Sequence, residues 1–171
     1  MENNALLKPS EALNRFTSTQ SQQKNVYSIT PVRFGFRIGD LGLLIPTAMI
    51  SEVIVDTEIY HLPTTPNWFR GLINLRGSLV PVFDLKILFD IQTEAKAVPK
   101  LLVLNERTKA VGILTDTAPR SIVIEESLSQ TPPLPKLLSQ YSHKVYIKDQ
   151  DIWVEFDFDG FFHAIGNQLQ A

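Results

Sequence analysis

The sequence predicts an all-β protein assembled from small barrels, and three observations carry that prediction. Short apolar runs recur at intervals of roughly 8 to 12 residues, turn residues fill the gaps between them, and no segment shows a long 3.6-residue periodicity. Curled strands satisfy this pattern better than a βαβ sheet does. With 171 residues, 44% of them apolar, the chain suffices for one domain or for two small lobes sharing a core.

Residues 1–28 are expected to form a flexible tail, because residues 17–25 are polar throughout and only residues 10–16 suggest a short helix. From Val32 the pattern alternates. Val32, Phe34, Phe36 and Ile38 fall on one face and Arg33 and Arg37 on the other, which predicts a half-buried strand. Gly39-Asp40 makes a turn, residues 41–45 a second strand, and Pro46 opens a link to Glu52-Val53-Ile54-Val55. The prolines of Leu62-Pro63-Thr64-Thr65-Pro66 lack the amide proton a sheet needs, so this stretch is a loop.

Two apolar runs at 72–75 and 79–83 flank Arg76-Gly77-Ser78 and predict a tight hairpin, with Pro81 placing its second strand at an edge or bulge. One helical turn follows at 85–89. Residues 92–100 form a linker, which divides a 29–171 domain into a first lobe at 29–91 and a second at 101–171. The architecture then recurs. A hairpin at 101–114, a strand at 122–124, a proline loop at 131–135, strands at 144–147 and 151–158, and an amphipathic helix after Asp159 complete the chain. In the last strand Ile152, Val154, Phe156 and Phe158 face inward. Trp153 lies outward among Asp151, Glu155 and Asp157, where an exposed tryptophan is a candidate partner contact.

Several chemistries find no support. Lys+Arg at 16 against Asp+Glu at 18 gives a formal charge of −2, which disfavours nucleic acid as a partner. An oligonucleotide-binding β-barrel, the alternative from another class, needs aromatics interleaved with Lys or Arg on an exposed face, whereas Phe34 and Phe36 fall on the apolar side. No apolar run approaches the about 18 residues of a membrane span, and Met1-Glu2-Asn3-Asn4 does not open like a leader, so a soluble cytoplasmic protein is expected. The absence of Cys removes disulfides and thiol chemistry. His61, His143 and His163 stand in no metal-binding spacing and read as surface residues, and the glycines form neither a phosphate-cradling nor a dinucleotide fingerprint. The run Glu155-Phe156-Asp157-Phe158-Asp159-Gly160 has the oxygen-donor spacing that opens a calcium loop. Gly166 stands at its twelfth position, where a bidentate carboxylate is required, so the solvated face of a strand explains the run better. No catalytic residue, cofactor or metal is assigned.

The segment Gly71-Leu72-Ile73-Asn74-Leu75-Arg76-Gly77-Ser78-Leu79-Val80-Pro81-Val82-Phe83-Asp84-Leu85 resembles the signature hairpin of the CheW family. Glu52-Val53-Ile54 and Phe69-Arg70-Gly71 upstream, and Val111-Gly112-Ile113-Leu114-Thr115-Asp116 downstream, are similar to that family's order over residues 32–162. Ala118-Pro119 and Gln150 depart from it, the last standing where a turn glycine is common. The resemblance implies two five-stranded SH3-like barrels packed through a shared hydrophobic core, and it implies no enzyme. It implies an adaptor at membrane-associated receptor arrays, with three partners: a chemoreceptor's cytoplasmic tip, the regulatory domain of a CheA-type histidine kinase, and other CheW-like domains in rings. On this pattern Ile50, Glu52 and Arg76 match coupling positions. Arg76-Gly77 reads from the residues alone as a turn in which Gly takes positive φ. The polar tail, Trp68 before Arg70-Gly71, and the aromatic-acidic strand at 153–158 favour the branch serving type IV pili and twitching over flagellar chemotaxis.

Overall fold

Among the residues that the computed structural model describes, 32–92, 98–124, 128 and 130–169, ten strands form two five-stranded sheets. The strands are β1 (Val32–Ile38), β2 (Leu41–Ile45), β3 (Ser51–Ile54), β4 (Phe69–Leu75), β5 (Ser78–Phe83), β6 (Lys100–Leu104), β7 (Val111–Thr115), β8 (Arg120–Val123), β9 (Ser142–Lys148) and β10 (Asp151–Phe156). Helix α1 (Leu85–Leu88) follows β5, α2 (Lys136–Gln140) precedes β9, and α3 (Phe158–Leu169) follows β10. The tail expected at 1–28 and most of the linker lie outside the described residues.

The first sheet has the order β8-β1-β2-β10-β9 and the second β3-β6-β7-β5-β4. This corrects the lobe boundaries. Residues 29–91 and 101–171 are two repeats rather than two lobes, since each repeat sends its first hairpin to one sheet and its remaining three strands to the other. β1 and β2 are completed by β8, β9 and β10, with β2 parallel to β10 from Leu41↔Ile152 onward. β6 and β7 join β3, β4 and β5, with β7 parallel to β5 through Val82↔Gly112 and Phe83↔Ile113. Alternation assigns residues to faces and leaves partners open, so periodicity could not reveal the exchange.

Both faces of each sheet are covered. One face meets the shared core, where Phe36, Ile38 and Leu43 of the first sheet join Phe83, Leu102 and Ile113 of the second beneath Phe158, Phe161 and Ile165 of α3. The other face curls over a small core of its own. In the second sheet this is Ile73, Val80, Val82, Leu101, Val103 and Ala110; in the first it is Leu44, Ile122, Ile124, Tyr146 and Trp153. Neither barrel closes as a full ladder, but the chain beyond each edge strand reaches back. Tyr60, after β3, bridges Leu72 of β4, and the Leu128 amide, after β8, donates to the Val145 carbonyl of β9 at 2.8 Å.

Three further expectations need correction. Phe34 and Val32 share a face with Phe36 and Ile38, yet they are 57% and 56% exposed while the other two are fully buried, because the opposing layer covers only the second half of β1. Pro81 lies in an internal strand, between β4 and β7. A two-residue hairpin closed by Leu75↔Ser78 exchanges hydrogen bonds at every second pair, so the Pro81 nitrogen faces away from β4. On its other side the ladder to β7 begins only at Val82, and no bond is lost; the bulge falls in the partner strand, between Phe69 and Gly71. The last strand stops at Phe156. Asp157 then caps α3, its Oδ1 accepting from the Gly160 amide at 2.9 Å, and Phe158 opens the helix.

The sheets are tied at the second crossover between them. Asp116 accepts from the Gly39 amide at 2.6 Å and pairs with Lys86 at 2.5 Å, joining the β1–β2 turn, the β7–β8 link and α1.

Candidate functional site

Three connections meet at one end of the second sheet. β5 and β7 start there because they run parallel, and β3 enters there because it is antiparallel to β6. Between the β3 entry, the β4–β5 turn and the β6–β7 turn opens a cleft of about 300 Å³. Its floor is the apolar end of the small core, through Leu75, Val80, Val103 and Ala110, and its rim carries Ile50, Glu52, Arg76, Glu106 and Arg107.

The rim is built from turn geometry. Arg76 and Gly77 have φ of +51° and +84°, the paired positive angles of a type I′ turn, whose twist matches that of the strands it joins. Asn74 holds the turn, its Oδ1 accepting from the Gly77 amide at 2.9 Å. Arg76 thereby reaches across the cleft, and its Nη2 lies 2.6 Å from Oε1 of Glu52. The two side chains are 74% and 40% exposed, so the pair adds at most about 1 kcal/mol to stability, while fixing the direction of both groups. Ile50 stands beside them 54% exposed, an apolar side chain that its own chain leaves uncovered.

Of the residues singled out from the sequence, Ile50, Glu52 and Arg76 converge here, and Gly77 shares the Arg76 turn without lining the cleft. Trp153 lies elsewhere. It is 1% exposed, packed in the first sheet's own core against Leu44, Ile122 and Tyr146, and therefore offers no face to a partner. The outward side of β10 is the inside of a curled sheet. Gly42 and Gly35 make room for the indole, since a Cβ at either would overlap the ring, and the Arg120 guanidinium lies over it at 5.8 Å. Beside it, burial and the Glu155 carboxylate raise the pKa of the Tyr146 phenol above its ordinary value.

Sequence reasoning missed Asn105, Arg107 and a second groove. That groove, of about 410 Å³, runs between β5 and α3 and includes Leu79, Pro81, Val111 and Phe162. Leu79, opposite Asn74 at the turn end of the hairpin, is 68% exposed on the face that Leu72 and Phe83 turn toward the shared core. Asn105 lines both hollows; its amide donates to the Ile50 carbonyl at 2.9 Å and its Nδ2 to Asp159 at 3.0 Å. The calcium-like carboxylates diverge instead, Glu155 to Arg33, Asp157 to the start of α3 and Asp159 to Asn105. The three histidines are exposed.

A family model described as "CheW-like domain" matches residues 34–166. The chain belongs to the CheW-like domain family. Both hollows lie within the matched region. Among curated relatives, "Chemotaxis protein CheW" of Helicobacter pylori is 29% identical over 113 residues, spanning 66% of this chain and 67% of that protein. "Protein PilI" of Pseudomonas aeruginosa is 26% identical over 139 residues, spanning 80% of this chain and 76% of that protein. Among solved structures, the scaffolding protein TtCheW from Thermoanaerobacter tengcongensis matches with a TM-score of 0.61 at 21% identity, covering 78% of this chain and 93% of that one. The CheW-like fold is thus present with both of its five-stranded sheets. No helix among the described residues is long and apolar enough to cross a membrane.

Proposed function

We propose that this chain is a non-catalytic adaptor that couples chemoreceptors to a CheA-type histidine kinase in a cytoplasmic signalling array beneath the membrane. The observation that carries the reading is the convergence of Ile50, Glu52 and Arg76 on one cleft. Ile50 and Glu52 come from the entry of β3 and Arg76 from the β4–β5 turn, and together they offer an exposed apolar side chain beside an oriented ion pair, the composition of a small interface centre with a polar rim. The groove beside α3, with Leu79 and Phe162, suits the apolar face of a receptor-tip helix. Similarity to PilI across most of the chain favours the pilus and twitching branch over the flagellar one.

Titration of a receptor-tip fragment and of the kinase regulatory domain against wild type, Arg76→Ala and Arg76→Lys tests this. The Ala variant should keep wild-type melting behaviour and lose about thirtyfold in affinity for at least one partner, equivalent to about 2 kcal/mol. Lys should restore part of it, keeping the charge and losing the planar fork. Full affinity for both partners in folded Arg76→Ala removes the cleft from the mechanism. Failure of wild type to bind either partner removes the adaptor reading. Loss of twitching with intact swimming, on deletion in the native host, is the outcome expected of the pilus branch.

A further inference from the structure

The first half of β1 carries apolar side chains that the described residues leave uncovered. Val32 and Phe34 are 56% and 57% exposed on the face that Phe36 and Ile38 bury in the shared core. The register sets Val123 of β8, 43% exposed, opposite Val32, and Ser121 opposite Phe34. On the other side of Phe34 its partner Ile45 is buried in the shared core, so the patch continues that core past the point where the opposing layer stops. Single exposed apolar residues need no explanation, but three that adjoin on one sheet face form a surface fit for an occupant.

The chemistry of the patch narrows what that occupant is. Neither strand turns a charge toward it: Arg33 pairs with Glu155 and Arg120 lies over Trp153, both on the opposite face. A neutral apolar segment therefore fits, with no ion pair to select a charged one. The chain also enters the sheet at the patch itself, since Val32 is both the first residue of β1 and part of the surface. Ahead of it, outside the described residues, Ala12, Leu13 and Phe16 share one face of the short helix expected over residues 10–16. So short a helix is marginal by itself in water, and its apolar face needs a surface to form on. Residues 17–31 join it to Val32, and a linker of that length spans roughly 20 Å, several strand spacings, which holds the segment at a roughly millimolar effective concentration. Val26, Tyr27 and Ile29 are apolar too, but they stand too near the tether. To double back over β1 they need a reversal at Thr30, where Pro31 favours extended backbone.

We propose that residues 12–16 of the same chain cover this patch, with Leu13 and Phe16 seated on Val32, Phe34 and Val123. The face is then an internal contact, closed to any second protein while the segment is docked. The inference is independent of the adaptor reading, because it rests on the sheet face and on the tether that ends there.

The chain has no cysteine, so a single one introduced by Thr17→Cys takes a nitroxide label at one place only. In the full-length labelled protein the amide signals of Val32, Phe34, Ser121 and Val123 should be broadened, and adding Leu13→Ser and Phe16→Ser should remove at least half of that broadening. Broadening that the serine pair leaves unchanged overturns the inference, since the tether alone then brings the label near; absence of broadening overturns it as well. Isotope-labelled protein mixed with nitroxide-bearing protein reads contacts between copies, and broadening there assigns the patch to a second copy and overturns the intrachain occupant. Melting temperatures give an independent reading. Phe16→Ser and Phe34→Ser should each lower the midpoint by about 2 to 4 °C, and the double variant by no more than the larger single shift, because both remove the same contact. Additive shifts, or no shift in Phe16→Ser, overturn the proposal. The labelling arm changes only residues ahead of β1, so its result stands whether or not Phe34→Ser folds.

Discussion

At the scale of single residues, the structure separates side chains that hold the fold from those that face outward. Trp153 is the largest of the fully buried side chains, seated over two glycines in a core of only a few residues. Trp153→Ala should therefore destabilise the protein by about 3 to 5 kcal/mol, read as a lower midpoint in urea. A change under about 1 kcal/mol would return it to the surface. Arg76, 74% exposed, sits at the other extreme. The sequence could not rank these two, because an outward position in an alternating strand means solvent only when the sheet is flat. Burial of Trp153 depends on how far the first sheet curls, which is a property of strands far away in the chain.

At the scale of elements, the two repeats pose the same problem twice and solve it differently. The β4–β5 turn uses Arg76-Gly77, whereas the equivalent β9–β10 turn uses Asp149-Gln150, with φ of +51° and +70° and no glycine. Gly77→Ala meets open space, nothing lying within 4 Å of the new Cβ, so its cost of roughly 1 kcal/mol would come from backbone conformation alone. Gln150→Gly should gain up to about 1 kcal/mol by the same argument. Thermal melts of the two variants test both signs, and matched shifts would mean that the turns are not equivalent. The hairpins themselves were legible, since positive-φ residues between apolar runs specify a turn locally. So was most of the cleft, because Ile50, Glu52 and Arg76 belong to a motif; Arg107 was not, because the β6–β7 turn reads as an ordinary charged loop and its φ leaves no mark on composition. Phe34 shows the other limit, since periodicity fixed its face while the extent of the opposing layer decided its exposure.

At the scale of the whole molecule, the strand exchange makes the two repeats interdependent. Residues 1–92 hold β1 and β2 without the three strands that complete their sheet, and residues 98–171 hold β6 and β7 without theirs. Each fragment expressed alone should lack a cooperative thermal transition, and mixing the two should restore β-sheet circular dichroism. A fragment that melts cooperatively by itself would show that the exchange is not needed for folding.

The same exchange bears on how the chain is made. On a ribosome β1 and β2 emerge first, yet Leu41 cannot find its neighbour until Ile152 has been translated, and by then β3 through β7 have already had time to collect their own sheet. The first hairpin to be synthesised is thus among the last to be enclosed, and through most of translation its apolar strand Leu41–Ile45 must be kept from meeting anything else.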